Sequence, residues 1–226
     1  MSAAPDAMHI GSDHPLAAFG LDTVARGAAR LRADRVAILE TGPGASPTPA
    51  TYGEFDRLTL AFSAHARACG VLPGERVLIL GAARISVAVA ILGAIGAGLE
   101  PVVAPPHLSP ATLAFLAQST GAAAVIGPTR FGAFDAEKAM LEIAATAPGV
   151  RLLGSLGPGE CDGAVDFSPA GLRDPVAADA FGAKPAAPPR IGLVLAPEQK
   201  APRAIFVSQS EIVAIALNFA SRLRLN

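Results

Sequence analysis

Between residues 77 and 126, uncharged runs of strand length alternate with apolar runs of helix length, and this alternation leaves few folds open. Val77–Leu80, Pro101–Ala104 and Ala123–Ile126 are short enough for strands buried on both faces. Between the first two lies Ile85–Leu99, 15 residues without a charge and apolar around the whole helical circumference. Between the last two, Ser109 and Pro110 supply an N-cap and a first-turn proline, Leu113, Leu116 and Ala117 follow, and Gly121 closes the helix. Strands that alternate with helices in this way predict parallel pairing through right-handed crossovers. The expected class is α/β: a mostly parallel open sheet with helices on both faces.

The flanking segments extend the pattern. Leu16–Arg32 reads as a first helix, Val36–Leu39 as a strand, and Thr41 onward through Pro47 and Pro49 as a loop. Thr51 and Glu54 have capping-box spacing, and Phe55, Leu58, Phe62, Ala66 and Cys69 form one apolar helical face that Gly70 ends. Pro73 and Gly74 make a turn, Asp135–Thr146 reads as a helix and Val150–Leu153 as a strand. Residues 154–189 hold 12 Gly and Pro in 36, with five acidic and two basic residues and no sustained periodicity. The expected organisation is a loose N-terminus (1–15), an α/β subdomain (16–153), a Gly/Pro-rich acidic linker or long loop (154–189) and a strand-loop-strand-helix segment (190–226). In that last segment Ile191–Ala196 and Ala204–Val207 are the strands. Ser208 with Glu211 repeats the capping box ahead of Ile212, Ile215, Phe219 and Leu223.

Composition removes several functions. Eighteen basic and 19 acidic residues leave no field that would attract nucleic acid, and no Trp with one Tyr leaves few platforms for stacking bases. The 15-residue apolar run is short of the 18 or more expected of a membrane span. Cys69 and Cys161 stand 92 apart with no CxxC or His-rich spacing, which suggests neither a disulfide framework nor a metal site and suits a reducing cytoplasm. Nearby carboxylates disfavour a thiolate at Cys161. Gly93, Gly96 and Gly98 run GxxGxG inside an apolar helix, where close helix packing explains them better than a dinucleotide loop does. No GxxxxGK[ST] occurs. Of His9, His14, His65 and His107, only His107 follows a strand end where α/β folds place chemistry, and an exposed turn histidine is the simpler reading.

Three blocks carry a more specific signal: Thr51-Tyr-Gly-Glu-Phe-Asp-Arg, Gly70-Val-Leu-Pro-Gly-Glu-Arg-Val-Leu-Ile-Leu and Ala90-Ile-Leu-Gly-Ala-Ile-Gly-Ala-Gly-Leu-Glu-Pro-Val-Val-Ala-Pro. Their order and spacing resemble the N-terminal half of the adenylate-forming superfamily, which comprises acyl- and aryl-CoA synthetases, acyl-AMP ligases and adenylation domains. The resemblance covers about residues 20–130 and implies a partial N-terminal domain of that fold. A flavodoxin-like small-molecule binder remains the alternative outside the family.

Beyond the linker the resemblance weakens. Family members carry a loop like Thr-Ser-Gly-Thr-Thr-Gly-x-Pro-Lys that cradles ATP phosphates, and the matching stretch here is Leu195-Ala-Pro-Glu-Gln-Lys-Ala-Pro-Arg203. The hydroxyls and both glycines are missing, Pro197 removes an amide donor, and Glu198 places negative charge where phosphate would sit. The family's following Ser-His pair is Ser208-Gln209. The resemblance therefore leaves Lys200, Arg203 and Ser208 as weak candidates for cofactor contact and assigns no catalytic or metal-binding residue. It implies no cofactor for this chain alone, and ATP, magnesium and CoA if the chain is part of a complete ligase. The expected role is a non-catalytic remnant or pseudoenzyme that binds a protein partner or acyl-type ligand, with a homodimer as the simplest assembly. The alternative is a fragment of a working acyl-CoA or acyl-AMP ligase whose remaining segments lie elsewhere.

Overall fold

The computed structural model describes residues 15–42, 46–81, 84–131, 134–157, 162–173, 187–195 and 202–223. The first expected helix is two elements: a 3₁₀ turn Pro15–Ala18 and helix α1, Leu21–Arg32. Extended Gly20 (ψ 159°) breaks the helical path between them. Strand β1, Val36–Glu40, pairs antiparallel with β2, Thr48–Thr51, so the loop expected to run through Pro49 ends sooner. Proline is tolerated there because this two-stranded ribbon needs no second ladder. Thr51 then caps α2, Tyr52–Ala68, by accepting from the Glu54 amide at 3.2 Å, and Gly70 at φ 80° leaves the helix in the left-handed region.

The alternating core forms as its pattern requires: β3 (Arg76–Leu80), α3 (Ile85–Gly96), β4 (Glu100–Ala104), α4 (Pro110–Thr120) and β5 (Ala122–Gly127). A small hairpin follows, β6 (Arg130–Phe131) with β7 (Phe134–Asp135), then α5 (Ala136–Thr146) and β8 (Leu152–Ser155). Strand β9 (Val165–Asp166), the β10 (Ile191–Leu195) and β11 (Arg203–Val207) pair, and α6 (Gln209–Arg222) complete it. The seven-stranded sheet has the order β11-β10-β4-β3-β5-β8-β9, with every neighbouring pair parallel except β10 and β11. On one face Val77, Ile79, Ala124 and Ile126 meet α2 and α3; on the other Leu78, Leu80, Val102 and Val125 meet α4 and α5.

Two expectations are corrected. Helix α3 stops at Gly96, three residues before Leu99, because Gly98 turns to φ 83° and the Leu99 amide returns to the Ala94 carbonyl at 2.9 Å. The stretch 154–189 is not wholly a linker or loop. It adds β9 to the sheet edge, and Phe167 and Leu172 are buried in the α2/α3 core, Phe167 with its ring 4.7 Å from that of Phe62. The Asp166 carboxylate, accepting from the Ser168 amide at 2.7 Å, shapes that turn.

Helices α2 and α3 approach closely at Gly93 and Gly96. A Cβ on Gly93 would lie 2.5 Å from Phe62 Cδ1, and one on Gly96 would lie 2.7 Å from Ser63 Oγ. Gly93→Ala is therefore expected to push the helices apart and lower stability by about 1–3 kcal/mol. Urea denaturation checks this, with Gly27→Ala as control because a Cβ at Gly27 meets nothing within 4 Å.

Candidate functional site

In an open parallel sheet, ligands bind beyond the carboxyl ends of the strands, at the point where strand order reverses. Here that point lies between β3 and β5, because the helices that follow them, α3 and α5, pack on opposite faces. Two glycines near these strand ends are closely packed. A Cβ on Gly81 would overlap Val87, and one on Gly127 would lie 2.9 Å from Leu80 Cβ. The α3 N-terminus, where such folds hold a phosphate, already holds a carboxylate: Glu40 of β1 accepts from the Ile85 amide at 2.9 Å and pairs with Arg84. Burial pushes the Glu40 carboxyl up, but the Ile85 amide and the Arg84 guanidinium outweigh it and hold it below the usual range. Glu40 carried no signal in the sequence, because only the fold brings β1 to this helix.

The same edge continues across β4 and β10. His107 sits exposed in the turn after β4, and Arg203 opens β11 opposite Leu195, also exposed. Lys200 and the rest of 196–201 lie outside the described residues, as does Cys161. Ser208 is not brought together with Arg203. Strand β11 runs antiparallel to β10, which carries Ser208 to the opposite edge, a strand length or about 15 Å away. There its hydroxyl is engaged in the α6 capping box, accepting from the Glu211 amide at 3.2 Å and donating to the Glu211 carboxylate at 2.7 Å. Those bonds from Ser208 hold the Glu211 carboxyl below its usual range.

The amino edge is tied by ion pairs instead. Glu100 lies between Arg76 at 3.1 Å and Arg190 at 3.0 Å, and both guanidiniums stack on Phe206. Arg151 reaches Glu75 with both terminal nitrogens, at 3.0 and 2.8 Å. Elsewhere, His65 on α2 meets Phe167 edge-on at 4.9 Å, and burial lowers its pKa against the opposing pull of Asp166. Burial pushes the Cys69 thiol up, away from the nucleophilic thiolate. Among the described residues no three His, Cys, Asp or Glu side chains are grouped to hold a metal ion, and no helix is long and apolar enough to cross a membrane.

Residues 25–189 match the family model described as AMP-binding enzyme. The chain is 30% identical over 131 residues to the salicyl-AMP ligase / salicyl-S-ArCP synthetase of Mycobacterium tuberculosis, which is 58% of this chain and 23% of that protein. Among solved structures, MbtA of Mycobacterium smegmatis superimposes with a TM-score of 0.71 and 26% identity over 87% of this chain and 35% of its own. A benzoate CoA ligase from Burkholderia xenovorans does so with a TM-score of 0.64 and 26% identity over 86% of this chain and 35% of its own. The chain thus spans about a third of these solved relatives. Among the described residues, Ser208 is engaged in the cap of α6 and Glu40 in the first turn of α3.

The depressed Glu40 pKa gives a signed expectation. A carboxyl whose folded pKa lies below its unfolded value stabilises the fold above the unfolded pKa, and that contribution fades as pH falls through the folded one. Glu40→Gln is expected to cost about 1 kcal/mol at neutral pH, and the gap from the parent protein should close under acid. Thermal unfolding of both proteins from neutral pH down to pH 3 checks it.

Proposed function

This chain belongs to the AMP-binding enzyme family, and from that premise we propose that it is a non-catalytic form of the N-terminal part of an acyl- or aryl-CoA synthetase, which works by holding a protein partner or an acyl-type ligand. The observation that carries this reading is the connection from β10 to β11. It leaves the carboxyl edge of the sheet at Leu195 and returns at Arg203, the position of the family's phosphate loop by resemblance. Its sequence, Leu195-Ala-Pro-Glu-Gln-Lys-Ala-Pro-Arg203, offers no hydroxyl, no glycine and one carboxylate. Lys200 and Arg203 are its cations, and Pro197 and Pro202 are two positions without an amide donor. The wide spacing of the cysteines supports a reducing, cytoplasmic setting.

A second reading is supported by coverage: a chain that matches 23% of the salicyl-AMP ligase and 35% of MbtA corresponds to one part of such an enzyme. As a piece of a working acid–thiol ligase it would share ATP, magnesium and CoA with segments supplied elsewhere. Acid-dependent pyrophosphate exchange separates the two. The chain is expected to give none above background with a panel of fatty and aromatic acids, and clear exchange would overturn the non-catalytic reading.

A partner is supported by what stays exposed. Leu193, Leu195 and Ile205 share one face of the β10–β11 ribbon, and Ile215, Phe219 and Leu223 are exposed on or just after α6. Patches of this kind usually mark contacts, and a homodimer is the simplest closed arrangement. Light scattering across a dilution series is expected to show a concentration-dependent dimer that Phe219→Glu converts to monomer. A parent protein that stays monomeric throughout would count against self-association.

A further inference from the structure

We propose that the end of α1 and the outer face of the β1–β2 ribbon form a docking surface for an anionic lipid bilayer. The net charge of −1 conceals a local excess of cations there. Arg30 and Arg32 stand in the last turn of α1 and Arg35 just before β1, all exposed. Among the described residues no carboxylate pairs with any of the three, whereas Arg26 has Asp56 at 3.8 Å and Arg84 has Glu40. Exposed Glu54 and Arg57 at the start of α2 offset one another, which leaves Asp34 as the carboxylate of the turn between α1 and β1. The dipole of α1 accounts for cations at its carboxyl end. It does not account for Arg35, which lies beyond the helix, or for the apolar side chains interleaved with the arginines.

Leu31 is 84% exposed between Arg30 and Arg32, and Val36 and Leu39 of β1 are 55% and 56% exposed. A tight turn joins the two groups. The Arg35 amide donates to the Arg32 carbonyl at 3.0 Å, and the Gly53 and Tyr52 amides at the start of α2 donate to the Ala33 and Arg35 carbonyls, each at 2.9 Å. A bulge in β1 then sets its outward face. Val36 pairs with Thr51 and Leu39 with Pro49, so the two share one face although three residues apart, while Ile38, opposite buried Ala50, packs against the core. Aliphatic side chains thus project singly among guanidiniums, with no aromatic residue in 30–39. Protein contacts are built around aromatic and arginine anchors seated in pockets, with leucine under-represented. An anionic bilayer needs only cations at its surface and aliphatic side chains that enter the headgroup region. A lipid surface therefore suits this patch better than a protein does.

Flotation with vesicles of phosphatidylcholine containing about one-third phosphatidylserine, compared with vesicles of phosphatidylcholine alone, tests this without reference to catalysis. Binding is expected to the first and not to the second, and it should weaken as salt screens the surface charge. Arg32→Gln and Arg35→Gln should each lower the partition about fivefold. Leu31→Ser should lower it at least as much while leaving the salt dependence in place. Lys138→Gln, which removes an exposed cation from α5, should leave binding unchanged. Thermal unfolding at the parent temperature shows that each variant is folded, as expected for exposed side chains. Equal partition onto both kinds of vesicle, no binding even at low salt, or binding that the Arg32, Arg35 and Leu31 variants do not weaken would overturn the assignment. A particle mass that falls in Leu31→Ser by light scattering would mark the patch as a contact between copies of the chain and would overturn it as well.

Discussion

The fold depends on the closeness with which α3 lies against α2. Helix α3 has no charged side chain to carry its ends into solvent, so its terminal amides and carbonyls must be met by neighbours. Glu40 supplies a carboxylate to its first turn, and Arg67 of α2 donates to the Ala97 and Gly96 carbonyls at 3.2 and 3.3 Å. Negative charge at the N-terminus and positive charge at the C-terminus also suit the helix dipole. Between the two caps, Gly93 and Gly96 admit Phe62 and Ser63, and the Ser63 hydroxyl reaches the Gly93 carbonyl at 2.7 Å. Because α3 joins β3 to β4, this contact sets the face of the sheet on which α2 and the β1–β2 ribbon come to rest.

That arrangement separates the two edges of the sheet by chemistry. At the amino edge, Glu75 and Glu100 gather arginines from β3 and from the approaches to β8 and β10. Exposed pairs of this kind contribute little singly, but each joins segments far apart in the chain. At the carboxyl edge the first turn of α3 is taken by Glu40, and Gly81 and Gly127 leave no room for a Cβ beside Val87 and Leu80. The residues that pack the sheet lie in its two buried cores, while the sequence of 195–203 carries no hydroxyl and no glycine.

Most of the core was legible in the sequence because its signals are local. Apolar runs of strand length, Ser109 with Pro110 and Gly121 around α4, and Ser208 with Glu211 at α6 each act within one turn of the chain, and the structure places an element at each. Where a local rule was stretched too far, it failed at a single residue: Gly98 belonged to a helix end rather than to a packing stripe, and Gly20 to a break rather than to a continuous helix. The β9 strand was hidden because two residues in a Gly/Pro-rich stretch carry no period of their own, and only the parallel edge of β8 makes them a strand.

The functional residues divide along the same line. The composition of 195–203, without hydroxyl or glycine and with one carboxylate, is a property of the chain and is legible in the order of its residues alone. The separation of Ser208 from Arg203 is not, since it follows from the antiparallel return of β11, which puts near neighbours in sequence at opposite edges. Glu40 at the α3 terminus and Gln209 at the start of α1 are likewise tertiary decisions, made across 45 and 188 residues. The sequence by itself determined which segments could be strands and helices, because propensity and periodicity act over a few residues. Tertiary structure alone decided which polar groups those segments satisfy, because a buried amide accepts whatever partner the fold brings within reach.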